Sequence, residues 1–510
     1  MRAAAVLLPL FSLRQRDDLG RGEIPALAAL MTWLDRIGHR VLQLLPLCEP
    51  APQENSPYNA LSVFALDPLL IGALELAGVT PQAYAQARAR VGRRRSLSRR
   101  EAWAVKGPLL TAAFDHFDRH ADSLARAEFA AYRAAERDWL EDYALFRALK
   151  EKLGWQAWES WPAPLARRQA SALEDARREL ARSIAMYEYW QFLAARQWRA
   201  LASRRRQLGI RISGDLAFCP ARDSADVWAN QTQFCLDQCV GAPPDAFSPQ
   251  GQRWGLPLPD WSAMAQDDFR WWRRRTRHAA SLFDLVRIDH VVGFYRTYHY
   301  PCDDPAAAGS FTPSSEEAQR VQGERFIAMV KQEMGSGALI AEDLGAVPQW
   351  VKNSLTELEV PGLKVFRWER EDWGKVQERI VSPAQYPRLA VATTGTHDTE
   401  PLAQWWRAAN PRERQEVCLA FELPADEASG RLNRSQLDAI LRPLYQSPAG
   451  LVMIPMQDLF GWTGRINWPG TTSLRNWRYR LPVPLEDFTG GAMEARSAQL
   501  LQLAQLGHRD

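Results

Sequence analysis

Residues 283–300 read FDLVRIDHVVGFYRTYHY. The apolar start, with Leu285 and Val286, predicts a strand buried on both faces, which is typical of a parallel strand covered by helices. Arg287 and Asp289 stand two residues apart, and in an extended strand this spacing places both side chains on one face. A guanidinium beside a carboxylate favours the ionised acid. The stretch therefore predicts either a catalytic carboxylate at the C-terminal end of a barrel strand or a structural ion pair that caps the strand.

Similar apolar strand patterns recur along the chain, with helical patterns between most of them. The strand candidates begin at Ala3, Val41, Gly209, Phe283, Ala338, Gly362, Leu389 and Gly450. Eight strands that alternate with helices predict an α/β fold, a closed (β/α)8 TIM barrel.

Two parts of the chain do not follow this alternation. Residues 76–200 are rich in Ala, Arg, Glu, Leu and Trp, which predicts a mainly helical insertion after the second strand. Residues 219–260 are rich in Gly and Pro and predict a long irregular loop after the third strand, covering the active site. We expect residues 1–75 and 201–510 to form the catalytic barrel. One helix is predicted near residues 262–278.

The totals exclude several classes of protein. The 510 residues include 63 Lys plus Arg and 60 Asp plus Glu, a balance that indicates neither a nucleic acid nor an anionic membrane as partner. No run approaches the roughly 18 apolar residues of a membrane span. The apolar N-terminus is too brief for a signal peptide and lacks a cleavage site, so it is interpreted as the first buried strand. We therefore expect a cytoplasmic protein.

The cysteines and histidines do not form a recognisable metal motif. His116 and His120 lie one helical turn apart, but Phe117 occupies the position of the zincin glutamate, which favours a solvated helix face. No metal and no cofactor are predicted. In a chain of this size the cysteines are expected to be reduced thiols. They are Cys48, Cys219, Cys235, Cys239, Cys302 and Cys418.

Three predicted strands end in carboxylates, namely Asp289, Glu342 and Asp398. In a barrel the C-terminal ends of the strands share one face, so these acids are expected to converge. A pair of carboxylates around a cleft is the requirement for glycosidic bond cleavage. His290 and His397 flank two of the acids and are suited to donate hydrogen bonds to sugar hydroxyls.

Longer motifs run through nearly the whole chain. They are SPYNALSVFALDPLLI (56–71), GDLAFCPARDSADVWAN (214–230), GAPPDAFSPQGQRWGLPL (241–258), VRIDH (286–290), AEDLG (341–345), VPGLKVFRWE (360–369), TGTHDT (394–399) and, within 455–480, PMQDLFG, RINWPGT and NWRYR. With these motifs the chain resembles the amylomaltases, which are 4-α-glucanotransferases (disproportionating enzymes) of glycoside hydrolase family 77 and relatives of the α-amylases.

The resemblance implies a function and a role for each matching residue. It implies a retaining glucanotransferase that acts on maltooligosaccharides and α-1,4-glucans, without cofactor or protein partner. Asp289 would be the nucleophile, Glu342 the general acid/base, and Asp398 the carboxylate that steadies the transition state. Substrate contacts are expected from Tyr58, Asp215, Phe247, Trp254, Arg287, His290 and His397, although Phe247 and Trp254 are also suited merely to anchor their loop to the barrel.

The chain departs from the family pattern at several positions near these motifs. Phe-Arg usually follows RIDH, whereas this chain has Val291 and Val292. Asn usually follows GTHD, whereas this chain has Thr399, and Asn is common in the covering loop where Leu256 stands. FAGNP is usual where this chain has FALDP, with Leu66 and Asp67. These changes leave the acids intact and bear on subsite preference and on the balance between transfer and hydrolysis.

Three other readings of the sequence stay open at this point. An α-glucan hydrolase would use the same acids but let water intercept the intermediate. A non-catalytic glucan-binding protein would bind without turnover, and a metal-dependent barrel hydrolase would need more ligands at the strand ends than His290 and His397. Sizing the products formed from maltotriose alone distinguishes the glucanotransferase from the α-glucan hydrolase.

Overall fold

The computed structural model describes residues 2–244, 251–304, 308–371, 378–424, 430–471 and 473–509. In chain order the strands are β1 (Ala3–Leu7), β2 (Val41–Gln43), β3 (Arg211–Leu216), β4 (Phe234–Ala242), β5 (Gln252–Pro259), β6 (Leu285–Ile288), β7 (Thr297–Pro301), β8 (Ser310–Thr312), β9 (Ala338–Ala341), β10 (Gly362–Val365), β11 (Arg370–Glu371), β12 (Arg379–Ile380), β13 (Ala390–Thr393) and β14 (Leu451–Pro455).

The α-helices are α1 (Ala26–Arg36), α2 (Pro81–Val91), α3 (Arg99–His120), α4 (Ser123–Ala135), α5 (Arg137–Lys152), α6 (Ala163–Ala166), α7 (Ala170–Glu179), α8 (Ala181–Leu208), α9 (Ala225–Ala229), α10 (Trp261–Gln266), α11 (Arg270–Leu282), α12 (Val292–Tyr295), α13 (Glu316–Met334), α14 (Gln349–Glu357), α15 (Leu402–Ala408), α16 (Pro411–Ala420), α17 (Arg434–Gln446), α18 (Met456–Phe460) and α19 (Gly491–Leu506). Short 3-10 turns lie at Leu10–Ser12, Pro68–Leu70, Trp158–Ser160, Gln231–Gln233, Pro383–Gln385 and Leu485–Thr489.

Eight strands close a barrel in the order β1-β14-β13-β10-β9-β6-β3-β2, and each neighbouring pair is parallel. This confirms the predicted (β/α)8 TIM barrel. Every residue of β1, β6, β13 and β14 is buried. Burial of both strand faces, inside the barrel and beneath the helices, explains why these strands read as continuous apolar runs.

The helices α2 to α8 lie between β2 and β3, as the helical composition of that part of the chain predicts. A buried ion pair ties this insertion to the barrel, because both guanidinium ends of Arg99 on α3 contact Asp67, at 2.5 and 3.1 Å. Lys106 on the same helix contacts Glu23 at 2.5 Å. The division of the chain at residues 75 and 200 stays a prediction.

The prediction of an irregular loop over residues 219–260 is wrong for much of that segment. β4 and β5 form an antiparallel hairpin, and β7 and β8 extend it to a four-stranded sheet of order β5-β4-β7-β8. Two register shifts interrupt the pairing of β4 with β5 and hide the alternation that identifies a strand. Gly241 is needed in β4, since a Cβ there would lie 2.1 Å from the carbonyl oxygen of Gln252.

The single helix predicted near residues 262–278 is also wrong. The structure has two helices, α10 and α11, because Asp268 and Phe269 between them adopt positive φ angles of 56° and 54°. The bend buries the Phe269 ring, which is 2% exposed. Burial of an aromatic ring here outweighs the helical propensity of the flanking residues.

The prediction that all six cysteines are reduced is wrong as well. Cys239 on β4 and Cys302, directly after β7, form a disulfide. They are 63 residues apart in sequence, but the pairing of β4 with β7 brings their Cα atoms to 5.0 Å. Cys48, Cys219 and Cys235 form no disulfide. Within the described ranges, no helix combines the length and the apolar character needed to cross a membrane.

Candidate active site

The predicted acids and the arginine and histidines beside them lie at the C-terminal end of the barrel. Asp215 belongs to β3 and stands opposite Arg287 of β6 in the parallel register. Asp289 and His290 follow β6, and Glu342 follows β9, the next strand around the barrel. His397 and Asp398 follow β13. The barrel thus brings to one end carboxylates that are more than fifty residues apart in sequence.

One guanidinium joins three of these carboxylates. Nη1 of Arg287 lies 2.6 Å from Oδ2 of Asp215 and 2.9 Å from Oδ1 of Asp289. Its Nη2 lies 3.1 Å from Oε2 of Glu342. The Arg287 side chain is 5% exposed, so little water screens these contacts. The ion pair predicted from the spacing of Arg287 and Asp289 is present, but the same cation serves two further acids.

The two acids that the sequence predicts as catalytic have opposite pKa shifts. Burial raises the pKa of Glu342 to about 8. The positive charge of Arg287 opposes this rise, and the negative charge of Asp289 adds to it. Burial is the largest single influence on Asp289 and acts to raise its pKa, but Arg287, the two histidines His397 and His290 and a hydrogen bond with Glu342 together outweigh it. The net pKa of Asp289 lies below its ordinary value. At neutral pH this pair is one carboxylate and one carboxylic acid.

Glu342 is also held by the backbone of the neighbouring strand end. The His290 N–H donates to Oε2 of Glu342 at 2.7 Å, and the Glu342 N–H donates to the Ile288 carbonyl at 3.0 Å. His290 adopts a positive φ of 47°. This left-handed conformation is uncommon outside glycine and often accompanies functional sites. Burial lowers the pKa of His290 to about 4, so its imidazole is neutral at pH 7.

The third acid, Asp398, is held by residues that the sequence prediction did not include. Nδ2 of Asn467 donates to Oδ1 of Asp398 at 2.6 Å, and Nη2 of Arg465 donates to its carbonyl oxygen at 2.6 Å. Nε2 of His397 lies 3.4 Å from Oδ2. Arg465 and Asn467 both belong to the motif RINWPGT, and this motif was the feature of the sequence that could have identified them.

Tyr58 connects the loop after β2 to the acids. Its hydroxyl donates to Oδ2 of Asp215 at 2.8 Å and lies 3.2 Å from Nε2 of His397. The ring stacks on the His397 imidazole at 5.4 Å, and Trp477, also missed by the prediction, packs against both rings. Burial raises the pKa of Asp215 to about 7, although the positive charge of Arg287 acts to lower it. Oδ1 of Asp215 and Nδ1 of His397 are buried and have no hydrogen-bond partner in the protein.

The covering segment contributes one of its two predicted aromatic residues. Trp254 on β5 packs edge-on against the His290 ring, with centroids 4.8 Å apart. Its Nε1 donates to Oε1 of Gln252 at 3.1 Å. Trp254 therefore contacts the site as well as its own strand. Phe247 lies outside the described residues.

The departures from the family pattern have local structural roles. The Thr399 hydroxyl donates to the Thr396 carbonyl and accepts the Thr396 N–H, both at 3.0 Å, and so closes the turn that carries His397 and Asp398. Val291 is fully buried, and its N–H donates to the Glu342 carbonyl at 3.3 Å. Among the residues with described positions, no group of three or more His, Cys, Asp or Glu side chains is arranged to hold a metal ion.

Comparison with known proteins identifies relatives along nearly the whole chain. The family model of glycoside hydrolase family 77, described as 4-alpha-glucanotransferase, matches residues 8–486. A 4-alpha-glucanotransferase of Thermus thermophilus is 36% identical over 91% of this chain and 92% of its own length. One of Synechocystis is 32% identical over 96% of both chains. The solved amylomaltase of Streptococcus agalactiae in complex with acarbose is 27% identical, with a TM-score of 0.86 over 100% of both chains.

Proposed function

This chain belongs to glycoside hydrolase family 77, the 4-α-glucanotransferases, and we propose that it transfers segments of α-1,4-glucans by double displacement through a covalent intermediate on Asp289. The donors and acceptors would be maltooligosaccharides and longer α-1,4-glucans. The observation that carries the proposal is the single guanidinium of Arg287 between Asp289 and Glu342, whose pKa values lie on opposite sides of neutrality.

In the first half of the reaction, the Asp289 carboxylate attacks C1 of the glucosyl unit at the cleaved bond. The bond from C1 to the glycosidic oxygen breaks, and Glu342 gives its proton to that oxygen. The negative charge of Asp398 stabilises the positive charge that develops on the sugar ring. Asn467 keeps the Asp398 carboxylate in one orientation through its 2.6 Å hydrogen bond.

In the second half, Glu342 acts as a base. Asp289 carries no charge while it is esterified, so one of the causes that raise the pKa of Glu342 is gone. Glu342 takes the proton of an acceptor 4-hydroxyl, whose oxygen attacks C1 and releases Asp289. Two inversions at C1 retain the α configuration.

Transfer requires that a sugar hydroxyl reaches C1 before water does. Water is present at about 55 M, whereas an oriented acceptor reaches effective molarities of about 10⁵ M or more. Trp254 supports this role, because its ring lies against His290 beside the acids. A protein with the same acids but without acceptor positioning would be the alternative, an α-glucan hydrolase.

Two experiments test the proposal. Incubation with maltotriose alone should yield glucose and a ladder of longer maltooligosaccharides with little gain in reducing ends; glucose and maltose with rising reducing ends would identify a hydrolase. Glu342→Gln should lose transfer from maltotriose but still form a covalent adduct from α-maltosyl fluoride, because fluoride leaves without a proton. The adduct should map to Asp289 by mass spectrometry, and an adduct elsewhere would contradict the mechanism.

A further inference from the structure

Tyr300 of β7 contacts the strand that carries Trp254. Arg253 and Gly255, the neighbours of Trp254 on either side, both contact this tyrosine. The Arg253 guanidinium lies 4.3 Å from the Tyr300 ring centroid, and the Gly255 N–H donates to the Tyr300 hydroxyl at 3.3 Å. Besides the direct pairing of β5 with β4, contacts with Tyr300 on β7 therefore support the position of Trp254.

The Cys239–Cys302 disulfide fixes β7 against β4. Cys239 stands directly opposite Tyr300 in the antiparallel register, and Cys302 lies two residues beyond that tyrosine. Backbone pairing between β4 and β7 covers three residue pairs, Gln238–Pro301, Cys239–Tyr300 and Val240–His299. The Cys302 N–H also donates to the Asp237 carbonyl at 2.9 Å. The disulfide adds a covalent link to this short ladder, next to the tyrosine that contacts both neighbours of Trp254.

From Trp254 the contacts lead to the acid/base carboxyl. The Trp254 ring packs against the His290 ring, and the His290 N–H donates to Oε2 of Glu342 at 2.7 Å. Phe218 packs edge-on on another part of the same imidazole, at 5.3 Å. A shift of Trp254 would remove one of these two aromatic supports of His290, a residue whose positive φ depends on its surroundings.

The disulfide is also accessible and placed for exchange with thiols. Cys302 is half-buried, whereas Cys239 is 6% exposed. Nη1 of Arg222 lies 3.3 Å from Sγ of Cys302 and 3.9 Å from Sγ of Cys239. A neighbouring guanidinium stabilises a departing thiolate and speeds exchange.

We propose that the Cys239–Cys302 disulfide positions Trp254 beside the active site and that its reduction lowers glucan transfer reversibly. The inference rests on the proposed function for its activity readout. The reductant is a dithiol. Its thiolate attacks the sulfur of the half-buried Cys302, and the sulfur of Cys239 leaves as a thiolate and takes a proton. The second thiol of the reductant then displaces Cys302, which leaves as a thiolate and takes a proton in turn. The products are two cysteine thiols and the oxidised reductant.

The first experiment uses the full wild-type chain, oxidised, then reduced with dithiothreitol, then reoxidised. Alkylation and mass spectrometry should locate the disulfide in the oxidised protein and two additional thiols after reduction. Transfer from maltotriose should fall by roughly tenfold on reduction, within the hundredfold that a misplacement of about 1 Å can cost, and return on reoxidation. Absence of the disulfide from oxidised protein, or equal transfer in both states, would overturn the proposal.

Cysteine variants separate this effect from other actions of the reductant. Cys239→Ser with Cys302→Ser should show the low transfer rate in both conditions. The matched control is Cys235→Ser on the same strand, which forms no disulfide and should respond to reductant as the wild type does. If the double variant keeps wild-type transfer, or still loses activity with reductant, the disulfide does not position the site.

A second readout does not depend on turnover. Hydrogen exchange should increase on reduction in residues 234–242 and 252–259 and at His290, and stay unchanged in the barrel strand β1. This result would stand even if the chain proved inactive on glucans, so failure of the proposed function and failure of this inference are distinguishable. Unchanged exchange in the hairpin on reduction would overturn the inference. Arg222→Gln should slow reduction by dithiothreitol, and an unaltered rate would remove Arg222 from the exchange step.

Discussion

The Tyr58 hydroxyl donates to Oδ2 of Asp215 at 2.8 Å, the same oxygen that accepts Nη1 of Arg287 at 2.6 Å. A residue of the loop after β2 therefore helps to stabilise the charged form of a strand-end carboxylate and, through Arg287, is linked to the other two acids. The stack of Tyr58 on His397 extends this link to the strand end that carries Asp398. The hydroxyl and the ring of Tyr58 consequently have separable roles.

Replacing Tyr58 by Phe should leave the stack and remove the hydrogen bond. That hydrogen bond lowers the pKa of Asp215, so the pKa of Asp215 should rise further and Arg287 should lose a charged partner. We expect kcat/KM for maltotriose to fall by roughly tenfold to a hundredfold, the range of a hydrogen bond to a charged group. Tyr84→Phe is the matched control, since that hydroxyl donates to the Asp17 carbonyl away from the acids. Wild-type kcat/KM in Tyr58→Phe would contradict this role.

The pH dependence of transfer should follow the two shifted acids. The active form needs Asp289 ionised, and its lowered pKa provides this well below neutrality. It needs Glu342 protonated, which holds below about pH 8 and is lost as the pH rises through that value. The kcat/KM profile should therefore fall on the alkaline side with a pKa near 8. A profile that stays flat through that region would show that Glu342 is not the proton donor.

Asn467 should matter to catalysis although it is not an acid or a base. Asn467→Ala removes the 2.6 Å hydrogen bond to Oδ1 of Asp398 and should reduce kcat by about tenfold or more. Asn467→Asp should be worse, because two carboxylates at that distance repel each other or share a proton. The measurement is kcat and KM for maltotriose in both variants. Equal activities of the Ala and Asp variants would show that the side chain does not orient Asp398.

The Asp67–Arg99 pair makes a prediction about stability. Its side chains are 5% and 2% exposed, so Arg99→Met would leave the Asp67 carboxylate buried without its main partner. Loss of one partner of a buried ion pair costs about 3–5 kcal/mol. The apparent urea midpoint should fall clearly in Arg99→Met and recover in part when Asp67→Asn is added. Arg94→Met is the control, because that arginine pairs with Glu101 at the surface and should change the midpoint little. No recovery in the double variant would contradict the buried-charge explanation.

Much of the fold could be predicted because each barrel strand can be recognised from the apolar run of its own residues. The eight strand positions, and the acids Asp289, Glu342 and Asp398 at the ends of three of them, follow from apolar runs and what comes directly after each run. Burial on both faces makes those runs continuous, so the pattern survives without knowledge of neighbours. Tyr58 and Asp215 were identified by the resemblance of longer motifs to a known family, and His397 also by its place beside Asp398.

Only the tertiary structure decided which acids contact the same arginine and which strands a disulfide joins. Arg287 contacts three acids from three strands, and the opposite pKa shifts of Asp289 and Glu342 arise from that arrangement and from burial, not from sequence spacing. The β4–β5 hairpin escaped prediction because its register shifts break the period-2 pattern. The Cys239–Cys302 disulfide escaped because two residues 63 positions apart meet only when β4 pairs with β7.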